Sequence, residues 1–263
     1  MNRDTKSFTV LTYNVKYDAS RDEKSAWATR RDDVNAVIDF YNPDIFCVQE
    51  PLANQIDDMA RLSDYGFVAY GRDDGAREGE HVGIYYRKSR YGVDGSGVFW
   101  LSETPDVPSF GWGARHRRMA VWAALLDNVS GKRLAVVSAH LDHEFEVARD
   151  KGSEVLLQRI PAIAKGDAVI LAGDFNEGPD GPAVQNVLRE YQDSRAIASH
   201  TPIGPNGTYN DFDVTNVSPP GRIDYIFVQG DVRALRHAHI VTITPDGRLP
   251  SDHFPVMAEL VFG

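Results

Sequence analysis

The amino-acid sequence predicts an α/β fold of four layers, in which two mixed β-sheets face each other and helices flank them. Short apolar segments with strand-like alternation are frequent, and several follow one another in hairpin-like pairs. Three or four segments with helical spacing lie between them, without the regular strand–helix–strand order of a purely parallel sheet. No linker-like segment interrupts the 263 residues, so we expect a single domain over residues 1–263.

The individual elements follow from periodicity and from the residues that end each segment. Side chains alternate between two faces over residues 8–15, which predicts a strand. Apolar side chains recur at helical spacing over residues 25–41, and Asn42 and Pro43 end that helix. Further strands are predicted over residues 44–50, 82–87, 97–103, 119–127, 133–142, 168–174, 222–228 and 254–262. Further helices are predicted over residues 52–62, 144–163 and 181–190.

The overall charge argues against a protein that binds nucleic acid mainly through positive charge. The net charge is −10 and the pI is about 5.2, whereas such proteins are usually basic. Cys47 is the single cysteine, which excludes an intramolecular disulfide and favours a buried thiol. No segment is apolar over a membrane-spanning length, and residues 1–10 lack an apolar signal core. We therefore expect a cytoplasmic protein with no membrane contact and no obligate protein partner.

Polar side chains recur at the points where predicted strands begin or end. Each is Asn, Asp, Glu or His, and each lies within one or two residues of an apolar run. The positions are Asn14, Glu50, His140, Asp142, Asp174, Asn176, Asp224, Asp252 and His253. Any one of them alone is compatible with a cap, a turn or a surface position. Together they predict one cluster of oxygen ligands and imidazoles at the mouth of the sheet pair.

The stretch LAGDFNEGPDG at residues 171–181 is the most informative of these strand ends. Asp174 and Asn176 occupy alternate positions, and alternate residues of an extended backbone point to the same side. A carboxylate and an amide on one side can orient a water molecule and hold an oxyanion. The alternative interpretation of the same residues is an Asx-type turn.

Six motifs occur in a fixed order along the chain: LTYNV, PDIFCVQE, SAHLD, LAGDFNEGP, RIDYIFV and SDHFPV. This set resembles the endonuclease/exonuclease/phosphatase superfamily of DNase-like, metal-dependent phosphoesterases, over about residues 8–262. The segments WATRR, FWLSETPD and GTYN further resemble a bacterial branch of that superfamily. The resemblance implies the same single sandwich domain that the periodicity predicts.

The resemblance also implies a metal site. Asn14 and Glu50 match the metal-site pair of the superfamily, with Glu50 as the main ligand of Mg²⁺ or Mn²⁺, and Asp252 supports the metal. Such a site is chemically sensible because Mg²⁺ is held by few carboxylates and keeps several of its water molecules.

Five further positions match catalytic residues of the superfamily. Asp174 matches the acid that aligns or deprotonates the attacking water, and Asn176 matches the amide that holds that water or the oxyanion. His253 matches the histidine that contacts the scissile phosphate, with Asp224 as its carboxylate partner. A carboxylate beside an imidazole favours the charged form of the imidazole, which suits a phosphate. His140 matches a second phosphate-facing histidine, a candidate acid for the leaving group.

Three residues are candidates for binding substrate. Arg118 directly precedes an apolar strand, and its guanidinium suits phosphate oxygens. His81 in GEHVGIYYR and Tyr209 in GTYND fit positions near the cleft, although each is also compatible with a purely structural role.

The sequence therefore predicts a Mg²⁺- or Mn²⁺-dependent phosphoesterase that cleaves a phosphate mono- or diester by in-line attack of water. The acidic balance favours a small phosphorylated substrate or an oligonucleotide end. The alternatives are a nuclease acting on longer DNA or RNA and, in another class, a catalytically inactive module that binds a phosphate ligand.

Overall fold

The computed structural model describes residues 7–19 and 26–263, and two six-stranded sheets pack face to face within that part of the chain. The strands are β1 (Ser7–Asn14), β2 (Ile45–Gln49), β3 (Tyr65–Gly71), β4 (His81–Arg87), β5 (Tyr91–Trp100), β6 (Met119–Asp127), β7 (Arg133–His140), β8 (Ala168–Asp174), β9 (Gln192–Asp193), β10 (Asp224–Gln229), β11 (Val232–His239) and β12 (Val256–Phe262). The helices are α1 (Trp27–Tyr41), α2 (Ala53–Met59), α3 (Glu146–Ala164) and α4 (Pro182–Leu188).

Both sheets are mixed, as the sequence predicts. The first has the strand order β11-β12-β1-β2-β4-β3, and the second has the order β5-β6-β7-β8-β10-β9. The pairs β1–β2 and β7–β8 are parallel, and the other strand pairs are antiparallel. The two parallel pairs bring the carboxyl ends of four central strands to the same end of the sandwich.

Packing explains why the central strands are apolar on both faces. In β8, Ile170 and Ala172 belong to the core between the sheets. Val169 and Leu171 instead pack in the outer cluster with residues of α3 and α4. Burial of an aliphatic side chain stabilises the fold by about 1.5–3 kcal/mol, so a polar residue inside β8 would be unfavourable. The first acid of this strand is its last residue, Asp174.

Helix α1 covers the outer face of the first sheet. Val34 and Ile38 pack in one cluster with Leu11 and Phe46. The predicted helix over residues 25–41 is present from Trp27 to Tyr41, and residue 25 lies outside the described residues. The sandwich of two mixed sheets with flanking helices is thus confirmed.

Three strands were not predicted from the sequence: β3, β9 and β11. Only the two end residues of β3 are buried, so its apolar residues form no regular pattern. Strand β11 has a register shift between Ala234 and Arg236, and it carries two buried histidines, His237 and His239, in place of aliphatic residues. Strand β9 has two residues. Among the residues described, no helix has the combined length and apolarity to cross a membrane.

Candidate active site

A cleft of about 440 Å³ lies at the end of the sandwich where the central strands terminate. Eight of the eleven predicted site residues line it: Glu50, Arg118, His140, Asp174, Asn176, Tyr209, Asp252 and His253. Asn14 and Asp224 are buried and hydrogen-bond to residues of the lining. His81 does not line this cleft.

Asn14 joins the two sheets at the base of the cleft. Its amide nitrogen Nδ2 donates hydrogen bonds to Glu50 Oε1, at 2.9 Å, and to Asp174 Oδ2, at 3.0 Å. Its amide oxygen accepts a hydrogen bond from the backbone N–H of Lys16. In this arrangement Asn14 holds two carboxylates in place and turns its nitrogen, which is not a metal ligand, toward them.

The chain turns sharply where β8 ends. Asn176 has a left-handed backbone, with φ of 50°, and its N–H donates to Asp174 Oδ1 at 2.8 Å. The extended backbone that we predicted through Asp174 and Asn176 is therefore wrong, and the Asx-type turn is present. Both side chains nevertheless line the cleft, and Asn176 Nδ2 donates to the carbonyl of Leu141 at 3.0 Å. Gly173 permits the close approach of β7, since a Cβ there would lie 1.9 Å from the carbonyl oxygen of Ala139.

His253 is surrounded by carboxylates. Its Nδ1 lies 2.9 Å from Asp224 Oδ2, and its Nε2 lies 3.8 Å from Asp174 Oδ2. Burial disfavours a charge on the ring, but the Asp224 and Asp174 carboxylates outweigh burial and raise the pKa of His253 to about 10. The ring is therefore an imidazolium at neutral pH, with Nδ1 fixed by Asp224 and Nε2 facing the cleft.

Asp174 is the most strongly perturbed acid of this group. Burial and the negative charge of Asp224 together raise its pKa to about 7, although His253 and the Asn14 amide act in the opposite direction. Such a carboxylate can accept a proton near neutral pH, which is the property expected of a general base.

The donor set at the base of the cleft fits a divalent cation. Glu50, His140 and Asp174 each offer one ligand atom, and these atoms lie within 4.8 Å of one another. Asp174, Asp224 and His253 form a second such group among the described residues. A protonated His253 is a poor ligand, so the first group suits the metal better. Within it the Glu50 carboxylate is the main candidate ligand, because Nε2 of His140 lies 2.9 Å from Nη1 of Arg118. Mg²⁺ is held by few carboxylates and keeps several of its water molecules.

Lys16 is a cleft residue that sequence reasoning missed. Its Nζ lies 3.0 Å from Asp252 Oδ2 and 3.8 Å from Glu50 Oε2. Burial alone would raise the pKa of Glu50, but Lys16 and the hydrogen bond from Asn14 lower it. Asp252, predicted to support the metal, is thus bound to an ammonium group here. No local feature of the sequence marks Lys16 as a cleft residue.

Arg118 directly precedes β6 and lines the cleft, but it lies beside His140, a contact that the sequence did not predict. The guanidinium is 6% exposed, and its Nη1 lies 2.9 Å from Nε2 of His140. Burial and the Arg118 charge lower the pKa of His140 well below its ordinary value. Nε2 of a neutral His140 accepts from Arg118 and has no proton to donate, so the predicted role as a leaving-group acid does not fit this geometry.

The cleft continues into a positively charged region contributed by three loops. Arg72 and Glu80 from the β3–β4 loop form an ion pair, and Arg72 Nη2 lies 3.3 Å from Nδ1 of His116. Arg118 Nη2 lies 2.6 Å from Nδ1 of His143. We call Arg72, His116, Arg118 and His143 the basic end. We call Glu50, Asp174, Asp224, Asp252 and His253 the acidic end. Arg72, Glu80 and His116 were not predicted, because no strand-end pattern marks them.

The two remaining predicted site residues are Tyr209 and His81. Tyr209 is 41% exposed, and its ring makes an edge contact with the ring of His253 at 5.2 Å. Its hydroxyl donates to Asp211 Oδ1. His81 is buried, its Nδ1 lies 3.0 Å from the carbonyl oxygen of Gly79, and it borders a small separate cavity. Direct contact of His81 with a substrate in the main cleft does not fit this position.

The fold and the cleft agree with one protein family. The model of the endonuclease/exonuclease/phosphatase family matches residues 11–253. The chain therefore belongs to this family, whose members are phosphoesterase hydrolases.

Two solved structures are similar over nearly the whole chain. One is an endonuclease/exonuclease/phosphatase family protein of Bacteroides thetaiotaomicron, with 32% identity, coverage of 98% of this chain and 95% of that chain, and a TM-score of 0.91. The other is a mannosyl-6-phosphatase of the same organism, with 32% identity, coverage of 97% and 100%, and a TM-score of 0.90.

A curated relative is known from a virus. An uncharacterized protein of Acanthamoeba polyphaga mimivirus is 33% identical over 159 residues, which are 57% of this chain. The match spans 59% of the length of that relative.

Proposed function

We propose that this protein is a divalent-metal-dependent phosphoesterase that hydrolyses a small phosphorylated molecule by attack of water on phosphorus. The observation that carries the proposal is the environment of Asp174. This carboxylate shares the Asn14 amide with Glu50, lies 3.8 Å from His253 and has a pKa raised to about 7. A base that titrates near neutral pH therefore adjoins both a candidate metal ligand and an imidazolium.

The residues of the acidic end have distinct roles in this reaction. Asp174 accepts a proton from the attacking water, because a base is most effective when its pKa lies near the working pH. Asn176 orients that water or the pentavalent oxyanion through its amide. His253 donates Nε2–H to a phosphoryl oxygen, and Asp224 keeps the ring charged and fixed. With water as the nucleophile, no covalent phosphoenzyme is needed.

Glu50 is the residue that would hold the cation, and Asp174 beside it stays free to act as the base. When bound, a divalent cation neutralises charge on the phosphoryl oxygens and on the leaving oxygen. Asn14 positions the Glu50 and Asp174 carboxylates for these two tasks through its two hydrogen bonds. Such positioning groups contribute about 10- to 100-fold to metal affinity or activity in known sites.

A small substrate is favoured over a long polymer by three observations. The cleft volume of about 440 Å³ lies within the range of roughly 300–1,000 Å³ that is typical of small-molecule pockets. The net charge of −10 disfavours the many phosphate contacts by which proteins grip long nucleic acids. A mannosyl-6-phosphatase with 32% identity aligns with 97% of the chain.

The test is turnover by protein that has been stripped with EDTA and restored with Mg²⁺ or Mn²⁺. The panel contains p-nitrophenyl phosphate, hexose phosphates, nucleotides, bis-p-nitrophenyl phosphate, and short and long DNA and RNA. We expect metal-dependent release from monoesters of small molecules. Release from polymers alone would favour the nuclease alternative. Metal binding with no turnover of any ester would favour a binding module.

Two aspartate variants compare the turnover lost at a cleft residue with the turnover lost at a surface residue. Asp174→Asn should abolish the metal-restored turnover, whereas Asp231→Asn, at an exposed acid that pairs with Lys132, should leave it intact. Equal turnover in both variants would contradict the assigned base.

A further inference from the structure

The two ends of the cleft are connected by one continuous row of side chains. The backbone register of the second sheet aligns Asp224 with Asp174, Asp174 with His140, and His140 with Met119, the residue after Arg118. The side chains follow this order, with Asp174 Oδ2 3.6 Å from His140 Nε2. The row therefore crosses four neighbouring strands, from Asp224 through the candidate base Asp174 to the basic end.

The distance along this row separates the basic end from the site of attack. Neighbouring strands lie about 4.8 Å apart, so β6 and β8 are separated by about 10 Å. In the first sheet, Asn14 pairs with Gln49, Gln49 with Val82, and Val82 with Tyr70. Arg72 therefore begins three strands away from Asn14. This spacing of the main chain leaves room in the cleft for a second bound group beside the one that meets Asp174 and His253.

Among the described residues, no carboxylate lies within hydrogen-bond distance of the Arg118 guanidinium. Its two terminal nitrogens contact the imidazole nitrogens of His140 and His143, and its buried Nε has no hydrogen-bond partner there. The nearest carboxylate oxygen is Asp142 Oδ2, at 3.6 Å from that Nε, and it also has no hydrogen bond. A buried charge is unfavourable unless it is closely paired, and a guanidinium pairs best with a two-oxygen acceptor.

Arg72 also has an unused donor. Among the described residues its ion-pair partner is Glu80, and its buried Nε has no hydrogen-bond partner there. Burial and the nearby Glu50 charge raise the pKa of Glu80 to about 7 against the opposing charges of Arg72 and Arg118, so one carboxyl serves two guanidinium groups. Arg72, His116, Arg118 and His143 all line the same open cleft, within reach of a bound molecule.

From these observations we infer that the basic end is a second anion subsite, and that the substrate carries a second phosphate beside the one that is hydrolysed. This inference rests on the proposed phosphoesterase function. The substrate class is a small molecule with two phosphates separated by about the width of a sugar. The acidic end cleaves one phosphate, while Arg72 and His116 bind the other and orient the molecule.

The first test locates anions directly, without any assumption about the carbon skeleton. Crystals of the Mg²⁺-loaded protein soaked in tungstate should contain two anions, one at His253 and one within hydrogen-bond distance of Arg72 and His116. Arg72→Gln should lose the second anion alone. Arg77→Gln, at an exposed arginine of the same loop that pairs with Asp57, should keep both. A single anion at His253 in the wild-type protein would overturn the inference.

The second test measures selectivity through kcat/KM for glucose 1,6-bisphosphate and glucose 6-phosphate. We expect the wild-type protein to prefer the bisphosphate at least tenfold, the factor that about 1.4 kcal/mol of binding free energy provides. Arg72→Gln should lower this ratio, and Glu80→Gln should raise it because it removes the competing carboxylate. A ratio unchanged in both variants would overturn the inference, because a purely structural pair would affect both substrates alike.

A double variant controls for the effect of breaking the ion pair between Arg72 and Glu80. The double variant Arg72→Gln/Glu80→Gln removes the ion pair without leaving either charge unpaired. It should fold like the wild type and still lose the second anion, and retention of that anion would contradict the inference. Two anions in the crystal but no ester turned over would reject the proposed function and leave the subsite standing.

Discussion

The two ends of the cleft hold buried histidines whose pKa values move in opposite directions. At the acidic end, the pKa of His253 rises to about 10, and beside the basic end the pKa of His140 falls well below its ordinary value. The two side chains are 4% and 5% exposed, so burial does not distinguish them. Their neighbours do, because carboxylates surround His253 and Arg118 contacts His140.

This difference shows how one fold builds two chemical environments side by side. Burial disfavours charge on both rings, and the sign of the adjacent charge decides which ring becomes an imidazolium. A charged ring suits contact with a phosphoryl oxygen. A neutral ring next to a guanidinium instead supports that guanidinium in binding an anion. The following predictions test this contrast, beginning with the largest expected effect.

Loss of the charged ring should have the largest effect. His253→Ala should lower kcat by about 10²- to 10³-fold, the effect known for removal of one donor to a developing oxyanion. His200→Ala, at an exposed histidine outside the cleft, should leave kcat unchanged. A His253→Ala variant with nearly normal kcat would remove this residue from the site.

The metal assignment predicts the next largest effect. Glu50→Gln should weaken binding of Mn²⁺ by more than the roughly 10- to 100-fold that loss of a group supporting a ligand costs, because the neutral amide is a poorer ligand than the carboxylate. Titration calorimetry measures this independently of turnover. The exposed Glu103 offers the matched control Glu103→Gln, which should bind Mn²⁺ like the wild type. Equal affinity in the two variants would refute the role of Glu50.

The charge of the basic end can be tested through the pKa of His140, whose ring Arg118 contacts. Arg118→Gln removes the charge that lowers the pKa of His140, so that pKa should rise toward its ordinary value in metal-free protein. Titration of the ring signals by NMR measures the change. Arg115→Gln, at an exposed arginine that pairs with Glu144, should not move it. An unchanged His140 pKa in Arg118→Gln would mean that burial alone sets the state of the ring.

A histidine pair outside the cleft affects the stability of the fold and has the smallest expected effect on turnover. Burial lowers the pKa of His237 to about 2 and of His239 to about 4, and nearby charges add to this. Below pH 6.5 the unfolded chain binds protons that the folded protein does not, so stability falls as the pH falls from about 7 toward 4.

The measurement is the free energy of unfolding as a function of pH. His239→Asn should flatten this dependence, because the asparagine has no group that titrates, while its amide can keep the bond to the carbonyl of Pro205. Each unit of pKa difference corresponds to about 1.4 kcal/mol, so the effect should be a few kcal/mol. Equal slopes in both proteins would contradict the assignment.

The residues of the acidic end could be predicted from the sequence because most of them lie where buried strands begin or end. An apolar strand that is buried on both faces accepts its first polar residue only where it leaves the core, as at Asp174 in β8. Glu50, His140 and Asp224 also lie at the ends of buried strands, although β2 and β7 each contain a buried polar residue, Gln49 and Ser138, which hydrogen-bond to each other. The superfamily resemblance supports the same positions, and the cleft brings them together.

The basic end follows no such rule. Arg72 and His116 lie in loops, whose path depends on tertiary contacts and not on periodicity. Lys16 was also missed, although it follows Asn14 by two residues, because nothing local distinguishes a lysine in the cleft from one on the surface. The extended interpretation of Asn176 failed for a related reason. An Asx turn and a strand continuation share the same residue types, and only the local backbone separates them.

The opposite charge states of His253 at the acidic end and His140 beside the basic end are tested most directly by an NMR titration of the eight histidine rings in metal-free protein. The variants His253→Ala and His140→Ala assign the two signals. We expect His253 to remain protonated well above pH 8 and His140 to remain neutral at pH 6. If both rings titrated together near pH 6.5, the two ends would share one environment, and the assigned roles of the two histidines would be wrong.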